Sequence, residues 1–351
     1  MVRAVLCLGG IGTPRIIPSP APLLCAILCV MSTTHRRILI VLFLLNVTIP
    51  ATAEEEKDKE ATIASWTSKG QAEKEQAHYQ EALNAYQKAF ALVDKAADPK
   101  TYATLELSMA AMHVHLTSWK ESEPLYREAL SLRESACGKD APETAEALTE
   151  LAMFLYTTKR LKEAEPLMRR GLAIDEATSG KDHPTVAKDL NNLAMLLKAT
   201  GRLDEAEPLM VRVIDIWDKS PDKNDPKLAV ALTNLAQVFK ATERPKEAEP
   251  LMRRAIAIGE INPGPDHPDV AIRLYNLAML FHDTKRLAEA EPLMKRALVI
   301  LVNFSNKNER PHSQLQLMVT NYANILSEMG QTKEEVNENL GKIIKMIGQI
   351  K

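Results

Sequence analysis

Asn192, Asn234 and Asn276 recur at intervals of 42 residues, and Asn321 follows 45 residues after the last of them. A carboxamide donates and accepts at once, so a row of them can pair with the peptide groups of an extended chain whatever its side chains. The same row can instead bond between neighbouring structural units. Met195 and Met279 stand three residues after Asn192 and Asn276, where a flexible thioether offers either adaptable apolar surface to a ligand or filling for a core. Lys198 and Lys240, with Lys188 and Arg273, add positive charge that favours an acidic or carboxylate-bearing ligand. Glu146 and Glu150 reverse the sign on the N-terminal side, which leaves the polarity along the row open.

No reacting group accompanies these rows. His113 and His115 are two residues apart, a spacing that turns them to different sides of a helix. His183 and His267 belong to a recurring Asp-His-Pro turn (182–184, 266–268), which explains them without a metal. No Gly-x-Ser-x-Gly, His-Glu-x-x-His or Cys-x-x-Cys is present. Gly9-Gly10-Ile11-Gly12 lacks the Gly-Lys-Ser/Thr of a phosphate loop. Asn303-Phe304-Ser305 fits the glycosylation pattern, a short pattern without meaning in a bacterial periplasm. The expectation is a protein that is not an enzyme and takes no cofactor and no metal. A formal net charge of −2 gives no reason to invoke nucleic acid.

The elements that must carry the rows are themselves periodic. Glu123, Glu165, Glu207, Glu249 and Glu291 each open a Glu-Pro-Leu block, and every step is 42 residues. A fixed period of this size marks a repeat array whose units bury their apolar faces on one another. Each unit reads as two helices. Leu190, Leu193, Ala194 and Leu197 share one face of the first helix in the span 183–200, and Ala206, Leu209, Met210 and Val213 share one face of the second in 203–217. Pro142, Pro184, Pro226 and Pro268 suit first helical turns. Ala152, Ala194, Ala236, Ala278 and Ala323 on first helices, and Ala164, Ala206, Ala248 and Ala290 on second ones, let paired helices approach closely. Arg160, Arg202, Arg244 and Arg286 fall in the turns, and Arg170, Arg212, Arg254 and Arg296 are placed to pair with glutamates on solvated faces.

Leu193-Ala194, Leu197, Gly201, Leu203, Ala206, Met210 and Val213 resemble the tetratricopeptide repeat, matching its Leu-Gly, Tyr, Gly, Tyr, Ala, Phe and Ala positions. The 42-residue period, with its Asp-His-Pro, Asn-Asn-Leu-Ala and Glu-Ala-Glu-Pro-Leu blocks, is similar to the kinesin light chain variety. The resemblance covers residues 62–349 and implies an all-α, right-handed superhelical solenoid of antiparallel helix pairs, about seven units long. The first unit contains Trp66, Gly70, Tyr79, Ala82 and Tyr86, the second has Ser122 at the small position, and the last puts Glu335 there. In such domains first-helix asparagines bond the backbone of an extended peptide, which carries over to Asn192, Asn234, Asn276 and Asn321. The heptad coiled coil that docks kinesin light chains onto their heavy chain has no counterpart here, since 54–61 is a short charged tail.

From Met31 the sequence offers Arg36 and Arg37, an apolar run from Ile38 to Leu45, and Ala51-Thr52-Ala53. This pattern reads as a signal peptide, residues 31–53, cut after Ala53; an uncleaved anchor is the alternative, although the run is short of the roughly 20 residues of a spanning helix. Residues 1–30 then read as a start-site artefact. Cys7, Cys25 and Cys29 fall in the removed part and leave Cys137 alone, so a periplasmic location is favoured over a eukaryotic secretory one. The expected function is an exported scaffold holding a peptide or helical segment of a protein partner in the groove of the array. The alternative is a structural spacer that self-assembles through its convex face or ends. The sequence assigns no oligomeric state.

Overall fold

The computed structural model of the chain describes residues 53–308 and 311–345. The segments read as a start-site artefact and as a signal peptide lie outside the described residues, except Ala53. Fourteen helices occupy the described residues, and no strand is found among them. They are α1 (Ala53–Glu75), α2 (Tyr79–Phe90), α3 (Pro99–His115), α4 (Trp119–Ala136), α5 (Pro142–Thr157), α6 (Leu161–Thr178), α7 (Pro184–Ala199), α8 (Leu203–Lys219), α9 (Pro226–Ala241), α10 (Pro245–Ile261), α11 (Pro268–Asp283), α12 (Leu287–Lys307), α13 (Leu315–Glu328) and α14 (Lys333–Lys345). The chain divides into a unit ending at Thr62 and one running from Ile63 onwards. The part of α1 before Thr62 is the charged tail, which is helical.

From Ile63 onwards each helix packs chiefly against its neighbours in sequence, giving a solenoid of seven helix pairs. Local chemistry fixes where each pair begins. Pro142, Pro184, Pro226 and Pro268 occupy the first helical turn, where a missing N–H costs no intrahelical bond. His183 and His267 cap their helices by accepting from the backbone N–H of Thr185 and Asp269. Asp225 does the same toward Lys227 at 2.8 Å. The Asp-His-Pro turn is thus a helix-start device.

The turn inside each pair is equally regular. Lys159, Gly201, Glu243 and Lys285 all have φ near +60 to +80°. The next residue donates back five positions: Arg160 to Leu155, Arg202 to Leu197, Arg244 to Phe239 and Arg286 to Phe281, at 2.7–2.9 Å. This is a Schellman ending, which prefers glycine at the left-handed position; only Gly201 among these four supplies it.

The small residues lie where helices cross. Ala152, Ala164, Ala194, Ala206, Ala236, Ala248, Ala278 and Ala290 are all fully buried. In the second unit Ser122 takes this place and is also fully buried, its hydroxyl donating to the carbonyls of Ala110 and Ser118. Around these crossings lie Leu190, Leu193, Leu197 and Met210 and their counterparts, forming one continuous core from the second unit to the last. The inserted residues near 303–312 lengthen α12 to Lys307, which places Asn303 within a helix. At the C-terminal end Glu335 is exposed and forms a capping box with Thr332, each bonding the other's backbone N–H.

Replacing Glu243 by glycine is expected to stabilise the fold by about 0.5–1 kcal/mol, since glycine takes the left-handed turn without a Cβ penalty. Gly201→Ala is expected to destabilise it by about 1 kcal/mol. Urea midpoints measured for both variants check the pair of signs.

Candidate functional site

The N-terminal halves of α5, α7, α9 and α11 are flanked by three cavities. The first, about 360 Å³, includes Glu143, Glu146 and Thr149 of α5, Asp175 of α6, and Thr185, Lys188 and Asp189 of α7 in its walls. The second, about 330 Å³, is walled by Lys188 and Asn191 of α7, Val213 and Trp217 of α8, and Lys227 and Val230 of α9, among others. The third, about 170 Å³, lies among Val230, Thr233 and Asn234 of α9 and Asp269, Ile272 and Arg273 of α11. Thr185 and Lys188 line the first two cavities, and Val230 lines the last two. The three therefore form one track across four units, acidic at one end, aromatic in the middle and basic at the other.

Charge at the two ends is buried. Asp189 is 4% exposed; its Oδ1 accepts from Thr149 Oγ1 at 3.2 Å and its Oδ2 has no donor. Burial first, and the carboxyl of Asp175 beside it, push the Asp189 carboxyl up to about 7. Arg273 is 6% exposed, and its Nη1 has no acceptor. Burial pulls its guanidinium below the ordinary arginine value, against the pull of Asp269 one turn away. The guanidinium fits because position 259 is glycine, where a Cβ would come within 2.8 Å of Nη1.

The residues expected from the sequence to contact a ligand meet different surroundings. Lys188, Asn234 and Arg273 line the track. Asn192 and Asn276 are half-buried and make no side-chain hydrogen bond among the described residues, while Asn234 donates to Asn191 at 3.0 Å and Asn321 to the Tyr275 hydroxyl at 2.8 Å. Lys198 donates to Gln237 at 2.6 Å, and burial pulls its ammonium below the usual lysine value. Lys240 pairs with Asp283 at 2.7 Å. Those two lysines, with His282 on Glu328 at 2.9 Å, make a seam joining adjacent first helices. Met195 lies beside Asn191, whose amide approaches its sulfur at 3.7 Å, and Met279 packs against the core. Among the described residues no cluster of three potential metal ligands occurs, and His115 stacks on Tyr79 at 4.1 Å.

The sequence reading missed Asp175, Asp189 and Trp217. The signal was present as variation inside the repeat. Position 133 recurs as Asp175, Trp217, Gly259 and Leu301, and position 147 as Asp189, Ala231 and Arg273, while positions 145 and 148 stay Ala and Leu in all four of these units.

A family model described as tetratricopeptide repeat matches residues 101–177, 145–216, 185–261 and 243–301, together more than half of the chain. A putative kinesin light chain of Podosopora anserina with nearly identical TPR-like repeats is 21% identical, with a TM-score of 0.53 over 59% of this chain and 98% of that one. BtubC (BKLC) from P. vanneervenii is 21% identical, with a TM-score of 0.51 over 71% of this chain and 91% of that one. A signal transduction ATPase of Pyrococcus horikoshii with a tetratricopeptide repeat sensor, PH0952, reaches a TM-score of 0.64 at 12% identity, over 83% of this chain and 42% of that one. At such identities the likeness shows the fold alone. No curated protein matches the sequence.

Asp189 gives the track a pH signature. Its folded carboxyl holds a proton to higher pH than an unfolded aspartate, so its contribution to stability is complete below about pH 4 and is lost as pH rises through about 7. Asp189→Asn, which keeps an acceptor for Thr149, is expected to match the parent chain near pH 4 and exceed its stability by roughly 2–4 kcal/mol near pH 8. Urea unfolding at the two pH values measures the difference.

Proposed function

The chain belongs to the tetratricopeptide repeat family, whose members generally mediate protein–protein interaction, and we propose that it is an exported, non-catalytic scaffold holding an extended peptide or helical segment of a protein partner along its first helices. Its repeats are of the kinesin light chain kind. The observation that carries the proposal is the track itself. Three cavities share walls yet differ in chemistry, and side chains at both ends keep polar atoms without partners. Buried polar groups are mostly paired; Glu106, His113, Arg133 and Asn306 also keep an unpaired buried atom, but Asp189 and Arg273 are the two that line these cavities, which supports a ligand there.

The chemistry of the ligand follows from the walls. Arg273, unpartnered and buried, suits a carboxylate, which a guanidinium can hold through two parallel bonds. The Trp217 cavity suits an apolar side chain. Asn192 and Asn276 retain their full donor and acceptor capacity for a peptide backbone. Adjacent first helices are close enough for Asn234 to bond Asn191 directly. At about 10 Å per unit the track from Asp189 to Arg273 spans roughly 20 Å, the length of about six extended residues.

Export rests on Arg36, Arg37, the Ile38–Leu45 run and Ala51-Thr52-Ala53. It places the scaffold in a periplasm or outside the cell, with translation starting at Met31. No helix among the described residues is long and apolar enough to cross a membrane.

Two measurements test the proposal. Partner capture by the purified chain is compared with an Asn192→Ala/Asn276→Ala/Arg273→Gln variant of equal helicity. Loss of two neutral hydrogen bonds and one charge-assisted bond is expected to weaken binding at least a hundredfold; undiminished capture removes these first-helix asparagines and Arg273 as ligand contacts. Mass spectrometry of the protein from its native host is expected to find a chain starting at Glu54, and any peptide from 1–30 overturns the start at Met31.

A further inference from the structure

The acidic end of the track differs from the ion-paired ladders of the array and resembles Glu106, which is buried beside the carboxyl of Glu128. Other carboxylates close to arginines are held in ion pairs, as Glu165 is by Arg202 at 2.8 Å and Glu249 by Arg286 at 2.5 Å. Asp189 instead meets another carboxyl. From α6 Asp175 lies against it, and from α5 come Thr149, Glu143 and Glu146. The positive groups nearby are directed elsewhere or lie outside. Lys188 is exposed, and Arg133, 3.8 Å from Glu146, is already bonded to Thr104 at 2.6 Å. Asp189, whose Oδ2 atom has no donor, is among the walls of a cavity of about 360 Å³.

We propose that this cavity takes the cationic head, ammonium or guanidinium, of the peptide held along the track. The inference rests on the groove reading above and adds direction to it: the basic group of the ligand lies at the third and fourth units, and its acidic group lies at Arg273. The physical ground is the cost of leaving a carboxylate buried without a partner unless a proton or a cation compensates it. Asp189 holds its proton up to about pH 7, so near neutrality a bound cation needs to displace little more than one proton. A guanidinium or ammonium beside the Asp175–Asp189 pair replaces the proton that the two hydrogen-bonded carboxyls share, and Glu143 and Glu146 in the same walls add attraction. The array then reads a charge pattern: basic, apolar at Trp217, acidic.

The test uses the full chain with its aspartate carboxyls labelled with carbon-13, and four probes. Agmatine reports on the cavity alone. Three synthetic peptides share an acidic residue six positions after the varied one: N-acetylated with lysine, N-acetylated with norleucine, and norleucine with a free N-terminus. Agmatine is expected to shift the Asp175 and Asp189 resonances saturably, and an Asp175→Asn/Asp189→Asn variant of unchanged helicity is expected to lose that binding. The lysine peptide is expected to bind at least tenfold more tightly than its acetylated norleucine twin, with the ratio falling to about one in the variant. A preference for the free N-terminus instead assigns the same cavity to a terminal ammonium. Agmatine binding without peptide binding keeps the cation site and removes the groove reading. Peptide binding without any cation preference, and without agmatine shifts, overturns the cation site and leaves the groove. If no probe binds, both fall.

Discussion

The distance at which the two helices of each pair cross governs the rest of the structure. Ala194 against Ala206, and the equivalent alanines of neighbouring pairs, leave no side chain between the backbones. Even Ser122 fits only by turning its hydroxyl onto the carbonyls of Ala110 and Ser118. Close crossing thins each unit, and thin units bring the turn of one pair within reach of the second helix of the pair before it. Arg160, Arg202, Arg244 and Arg286 use that reach. Each forks between a glutamate three residues on and one from the preceding unit: Arg202 holds Glu205 at 2.6 Å and Glu165 at 2.8 Å.

This explains why the Glu-Ala-Glu-Pro-Leu block recurs. Its second glutamate is the inter-unit acceptor, and hydrogen bonds from the paired arginines hold Glu123 and Glu249 below the usual carboxylate range. A second ladder joins Arg212 to Glu176 and Arg296 to Glu260 on the same principle. Ion pairs this exposed contribute little each. Their value lies in register: a unit slipped along its neighbour would lose all of them together. The apolar core supplies the stability, and the ladders select one stacking from the several that a core of leucines and alanines would tolerate.

Most of the architecture was legible because a repeat compares a chain with itself. The period, the paired helices, the proline starts, the small crossing residues and the structural part of the arginines were all apparent in 42-residue steps. The site was less legible, for two reasons. The asparagine and lysine rows were read as contacting a ligand, with bonding between units as the alternative for the asparagines; Asn234, Asn321, Lys198 and Lys240 reach along the array to a neighbouring unit, and helical periodicity does not encode which of the two directions a side chain takes. The acidic pair joins a second helix to the following first helix. Comparing first helices with first helices therefore passed over Asp175 and treated Asp189 as one residue between Lys188 and Leu190. The Schellman turns escaped for a simpler reason, since Glu243 and Lys285 stand where that motif prefers glycine.

Gly259 beneath the Arg273 guanidinium has a consequence for how such a chain can change over generations. The two residues are fourteen apart, as are Asp175 and Asp189, Trp217 and Ala231, or Arg133 and Ala147. Where one member is large the other is small, so volume is shared out between the two positions of a junction. A duplicated unit inherits the scaffold intact, but its two-residue word can be rewritten only in concert: a bulky residue arriving at 259 must find a smaller one already at 273. Diversification of the array would then proceed by coupled substitutions, junction by junction, beneath a framework that stays fixed.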